Sequence, residues 1–212
     1  MSISYYTIKQ TATDELIIQK SRFIGHIFRI NSEQEARDII ERIRKTHWKA
    51  NHNCYAYVVG DNQAVQKASD DGEPSGTAGI PILEVIKKKA LNDCLIVVTR
   101  YFGGIKLGAG GLIRAYSKSA AAAIDAAGIV QRVPMSLFKV VVEYPLYGTV
   151  ENALKLSDHI VSDTVFEARV KIIVAVRSDE ADEFVDWMTN LCNGQCEIQL
   201  MEETSLEVDV TT

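Results

Sequence analysis

The chain has 212 residues, of which 47% are apolar and 24% charged. That excludes disordered and fibrous classes and supplies apolar material for one large core or two small ones. The net charge of −5 is unevenly placed: residues 1–137 hold 18 Lys and Arg against 13 Asp and Glu, residues 138–212 hold 5 against 15. If nucleic acid binds, the basic first part is therefore the expected site, and the acidic second part repels it.

MSISYYTIKQ lacks the basic start and long apolar run of a signal peptide. No apolar run nears the roughly 18 residues of a spanning helix, so a soluble, cytoplasmic protein is expected. Cys54, Cys94, Cys192 and Cys196 form no C-x-x-C pair and read as reduced thiols.

Residues 3–30 read as three strands, YYTIKQ, ELIIQK and RFIGHIFRI, with TATDE as the turn between the first two. Ser32 and Glu35 form a capping box, and Ala36, Ile39, Ile40 and Ile43 share one helical face, so a helix follows and fades near His47–Trp48. NCYAYVV (53–59) is a buried strand. GDNQAVQKASDDGEPSG has no clear period and reads as loop, IPILEVIKKKAL as helix. DCLIVVT (93–99) is a continuous apolar strand covered on both faces. A long helix spans 109–127, with Leu112, Ile113, Tyr116, Ala120, Ala123, Ile124 and Ala127 inward and Gly128 ending it.

GIVQRVPMS (128–136) reads as the boundary between domains 1–136 and 137–212. Beyond it come strand LFKVVVEY, a helix opened by Pro145, strands HIVSDTVF and ARVKIIVAV, a helix capped by Ser178, and a last strand or strand pair. The order βαββαβ is ferredoxin-like. The fold class is α+β in two domains.

RYFGGIKLGAGGLIRAY (100–116) sets Gly103, Gly104, Gly108, Gly110 and Gly111 between a strand and a helix. It fits neither strict phosphate motif. Ile113 stands where G-x-G-x-x-G needs its third glycine. Ala109 and Gly110 replace the lysine and hydroxyl of a Walker loop. The physics of an anion site remains: first-turn amides are unpaired, Arg114 and Lys118 share a helix face, and Arg100 and Lys106 stand at the loop ends. The competing reading is that the glycines serve only close packing and positive φ.

SDDGEPSGTAG (69–79) places Asp70, Asp71 and Glu73 within four residues. This group reads as carboxylates that hold the cations of Arg100 or Arg114, or as a plain turn. It is also the one candidate for Mg²⁺; no cofactor is otherwise implied, and no metal site is expected. His26 reads as structural, and Cys54 beside His52 as a buried, inert thiol. His47 and His159 have no partner that the sequence assigns, and no catalytic residue is assigned.

DDGEPSGTAGIP (70–81) and VVTRYFGGIKLGAGGLIRAYSKSA (97–120), with SRFIGH (21–26) and NHNCYAY (51–57), closely resemble the Impact family in its bacterial YigZ-type branch. The resemblance covers the whole chain. It implies that residues 1–136 fold like the second domain of a small-subunit ribosomal protein, like domain IV of elongation factor G and like galactokinase-type kinases. That fold contains an uncommon left-handed βαβ crossover. The second domain resembles domains III and V of elongation factor G. Eukaryotic members carry an extra N-terminal binding domain, which this chain lacks, and restrain a kinase that shuts down translation initiation; only the association with translation carries over.

The expected function is a translation-associated, non-enzymatic regulator binding RNA or the ribosome through the first domain, with a basic protein as partner for the acidic second domain and no membrane. The alternatives are a phosphate- or nucleotide-dependent enzyme of galactokinase-type fold, whose loop favours serines where this chain has Gly110-Gly111, and a protein–protein adaptor.

Overall fold

Alternation along one strand explains the architecture of the first half. In β6 (Cys94–Tyr101), Cys94, Ile96 and Val98 face one way and Leu95 and Val97 the other, and both sets are buried. A strand apolar on both faces needs a cover on each side. Helix α1 (Glu33–Thr46) supplies one cover through Ala36, Ile39, Ile40 and Ile43. Helices α2 (Gly79–Lys88) and α3 (Gly108–Ala127) supply the other. Each large aliphatic side chain so buried contributes about 1.5–3 kcal/mol.

The structure is a computed structural model that describes residues 4–60 and 63–210. It divides into two compact units, made mainly of Tyr5–Gln131 and Arg132–Val208. In the first, the sheet runs β2-β3-β6-β4-β5, and each adjacent pair is antiparallel. Its strands are β2 (Ala12–Ile18), β3 (Ser21–Arg29), β4 (His52–Val59), β5 (Val65–Ser69) and the central β6. The short β1 (Tyr5–Ile8) is anchored beside it, its Tyr6 carbonyl accepting from Asn92 N–H at 2.8 Å.

Three local expectations change. TATDE is not a turn, because β2 already begins at Ala12. The tight turn falls instead at Gln19–Lys20, both with positive φ. Strand β5 lies in the stretch read as loop; three of its five residues are exposed, so it shows no apolar period. Ile113 is 42% exposed, and Ala115 and Ser119 take inward places on α3. Gly25 allows this close seating: a Cβ there would lie 2.7 Å from the Ser119 carbonyl oxygen and 3.2 Å from Ala123 Cβ.

The second unit contains β7 (Ile129–Val142), α4 (Tyr144–Lys155), β8 (Ile160–Phe166), β9 (Val170–Arg177), α5 (Ala181–Leu191) and β10 (Cys196–Asp209). Strand β7 runs through the segment read as a boundary. It pairs with β1, β10 and β9, and the order β10-β7-β9-β8 within this five-stranded sheet is the ferredoxin-like arrangement. Phe138, Val140, Val142, Ile172, Val174, Phe184 and Met188 fill its core. Ser178 does not cap α5: it lies in a short 3₁₀ turn, and its hydroxyl sits 3.1 Å from that of Ser136. Among the described residues, no helix is long and apolar enough to cross a membrane.

Candidate anion-binding site at the start of helix α3

The acidic and the glycine-rich stretches meet the same buried pair. Glu73 and Arg100 are 9% and 5% exposed, and Arg100 Nη1 donates to Glu73 Oε1 at 2.6 Å. Tyr116 Oη donates to the same oxygen at 2.8 Å, and His52 Nε2 stands 3.9 Å from it. The Arg100 guanidinium lies between two rings, 5.4 Å from Phe23 and 5.5 Å from Phe102. Arg100 is thus withdrawn from the surface. It is not exposed with Lys106, Arg114 and Lys118, the residues it was expected to join.

The other two carboxylates also have structural partners. Asp70 accepts from the backbone N–H groups of Gly76, Ala78 and Gly79 at 2.9–3.0 Å, capping α2 from outside. Burial pushes its carboxyl upward, but these three amides outweigh burial and hold it below the usual range. Asp71 accepts from Asn53 N–H and from Arg44 Nη2, both at 2.7 Å. Glu73 alone of the three meets one of the expected cations. Among the described residues, no group of three or more His, Cys, Asp and Glu side chains is arranged to hold a metal ion.

Cys54 donates from its thiol to the Asp70 carbonyl at 2.9 Å and lies 3.4 Å from Tyr116 Oη. Burial pushes this thiol far above its ordinary range, so it stays protonated. Cys94 and Cys192 are buried too, and all four cysteines are free. His26 is held near a pKa of about 4, first by burial and then by His47, whose ring centroid is 5.1 Å away. His159 packs its ring against Phe184 and Trp187 in the second unit's core.

Of the remaining expected residues, Gly111, Arg114 and Lys118 line one hollow. A half-open hollow of about 270 Å³ is lined by Ile18, Gln19, Leu107, Gly111, Arg114, Ala115 and Lys118. The hollow lies along the flank of helix α3, which begins with no side-chain cap, Leu107 standing at the N-cap position. The helix's first amides are therefore left for solvent or a ligand. Arg114 reaches back over the helix start, where a Cβ on Gly110 would lie 3.7 Å from its Nη1.

The glycines have separate uses. Gly104 and Gly108 hold φ of 86° and 70°. At Gly103 the need is contact: a Cβ would lie 2.0 Å from the Lys20 carbonyl. That packing pins the glycine loop to the β2–β3 turn, where Gly103 N–H also donates to Ser21 Oγ at 3.2 Å. The turn thereby brings exposed Lys20 to the same region. Among the described residues none of Lys20, Lys106, Arg114 and Lys118 has a carboxylate partner. Arg22, Arg37, Arg44, Lys67, Lys87 and Lys89 are ion-paired, whereas Arg42, Lys45, Lys49 and Lys88, like these four, meet no carboxylate among the described residues. Lys20 is the residue that sequence reading missed. Its signal was a two-residue connection between apolar strands, IIQKSRF, with no glycine to announce a turn.

An α+β unit with a glycine loop feeding an uncapped helix is joined in this chain to a ferredoxin-like unit. That combination matches two family models, the Impact N-terminal domain over residues 19–124 and a domain of unknown function, DUF1949, over residues 140–195. The chain belongs to the Impact family. It is 48% identical to the IMPACT family member YvyE of Bacillus subtilis, over 96% of this chain and 94% of that one. With the IMPACT family member YigZ of Escherichia coli it shares 31% identity over 88% and 92%. A solved structure titled as the crystal structure of an hypothetical protein matches with a TM-score of 0.61 at 30% identity, covering 95% of this chain and 99% of that one.

Proposed function

We propose that this chain is a translation-associated regulatory protein that binds RNA, free or in the ribosome, at the start of helix α3. The observation that carries the reading is an open hollow lined by Arg114 and Lys118 along a helix that starts uncapped, with Lys20 and Lys106 on the adjoining turn and loop and none of the four meeting a carboxylate among the described residues. Phosphate groups suit both components: amides at a helix start attract anions, and unpaired lysine and arginine release counterions on contact. Membership of the Impact family supports the link to translation, the process in which its eukaryotic members act. The acidic residues 138–212, with net charge −10, suit a basic protein surface instead.

The test is RNA binding by the full chain across salt. Binding should be measurable at low salt and fall steeply as salt rises, with a log–log slope near about −3 for four neutralised phosphates on a single strand. Replacing Arg114→Glu together with Lys118→Glu should flatten the slope by about 1–2 and weaken binding to unrelated sequences alike. No binding at low salt rejects the proposal. A strong thermal stabilisation by one nucleotide with Mg²⁺, and none by RNA, would instead favour a nucleotide-dependent enzyme.

A further inference from the structure

We infer that the RNA taken at this site is single-stranded, and that its unpaired bases stack on Phe102 and Trp48. The inference rests on the RNA reading above and specifies its substrate class. Phe102 is 46% exposed and directly precedes Gly103. One side of its ring is occupied, with the buried Arg100 guanidinium 5.5 Å from the centroid. That guanidinium is fixed in turn by Glu73 and Phe23. The ring is thus supported from within and open to solvent.

Trp48 is 74% exposed in the connection between α1 and β4. That connection is fastened to the stem of the glycine loop. Asn51 Oδ1 accepts from Phe102 N–H at 2.8 Å, and Asn51 N–H donates to the Arg100 carbonyl at 2.9 Å. His47 Nδ1 lies 3.0 Å from Tyr101 Oη. Lys49 places its ammonium 5.0 Å from the Trp48 ring and has no carboxylate partner among the described residues.

Two exposed rings therefore stand on loops joined by hydrogen bonds, Trp48 next to the unpaired Lys49 and Phe102 one residue before the glycine loop that leads into α3. An apolar protein partner would match the rings and leave the cations unanswered. A duplex would match the cations, but its base faces are already stacked inside the helix. An unpaired strand matches both, with phosphates on the amides and cations and bases on the rings.

The experiment compares three probes on the full chain: a labelled, non-self-complementary RNA of about twelve nucleotides, its duplex, and inorganic polyphosphate as a charge-only probe. The single strand should bind more tightly than the duplex. Trp48→Ala and Phe102→Leu should each weaken single-strand binding by about tenfold. Polyphosphate binding and the melting temperature should stay as in the parent, and Phe102→Tyr should keep single-strand affinity. In a Trp187→Phe background, the emission of Trp48 should be quenched on binding. Equal affinity for duplex and single strand, or full affinity in both ring-deleted variants, overturns the inference. Loss of binding on Arg114→Glu with Lys118→Glu, without loss on removing either ring, overturns stacking alone. Failure of the parent to bind any RNA at low salt overturns the RNA reading as well.

Discussion

The loop at 69–79 and the stretch 103–118 both combine glycines with charged side chains, yet they dispose of their charge in opposite ways. In the first, Asp70 is satisfied by three backbone amides, Asp71 by Arg44 and a strand amide, and Glu73 by Arg100 and Tyr116. In the second, Lys106 and the neighbouring Arg114 and Lys118 meet no carboxylate among the described residues, and the helix that follows is uncapped. A cluster of charges in a sequence therefore says little until its partners are known. The first loop uses charge to hold the unit together, and the second stretch leaves its charge exposed and without a carboxylate partner.

The strongest way to break this contrast is to unpair the buried ion pair. Glu73→Leu leaves the Arg100 guanidinium buried without its carboxylate and should cost about 3–5 kcal/mol in urea unfolding. Combining Glu73→Leu with Arg100→Met should recover a large part of that loss, because no uncompensated charge remains. If the single variant unfolds at the parent's midpoint, the first loop is not the structural one. A smaller effect is expected at the junction of the two loops. Gly103→Ala forces a methyl group against the Lys20 backbone and should cost about 1–3 kcal/mol. The least effect is expected at the surface: Arg114→Ser and Lys118→Ser should change stability by no more than about 0.5 kcal/mol, whatever they do to RNA binding.

Much of the frame was legible because apolar spacing reports it directly. The capping box at Ser32 and Glu35 is present, with Glu35 N–H donating to Ser32 Oγ at 3.2 Å and the Glu35 carboxylate answering Asn31 N–H at 2.8 Å. The doubly covered β6, the long α3 ending at Gly128 and the βαββαβ order were likewise readable from period and turn residues. The exposed edge strand β5 and the Gln19–Lys20 turn were not. One lacks a buried period, and the other places two non-glycine residues at positive φ, against ordinary preference. The site was half legible. Spacing along α3 puts Arg114 and Lys118 on one face, but no local signal tells that Arg100, with the same charge, turns inward. That depends on Glu73, which lies 27 residues earlier and is brought near only by tertiary packing.

The Ser21 hydroxyl has a wider consequence. It receives Gly103 N–H at 3.2 Å and, more distantly, Arg100 Nη2 at 3.5 Å, so a single small side chain ties hairpin, glycine loop and interior ion pair together. The glycine loop is thereby held from below, by groups that do not line the hollow. Outward lysines and arginines can therefore be exchanged one by one while the backbone that presents them stays intact.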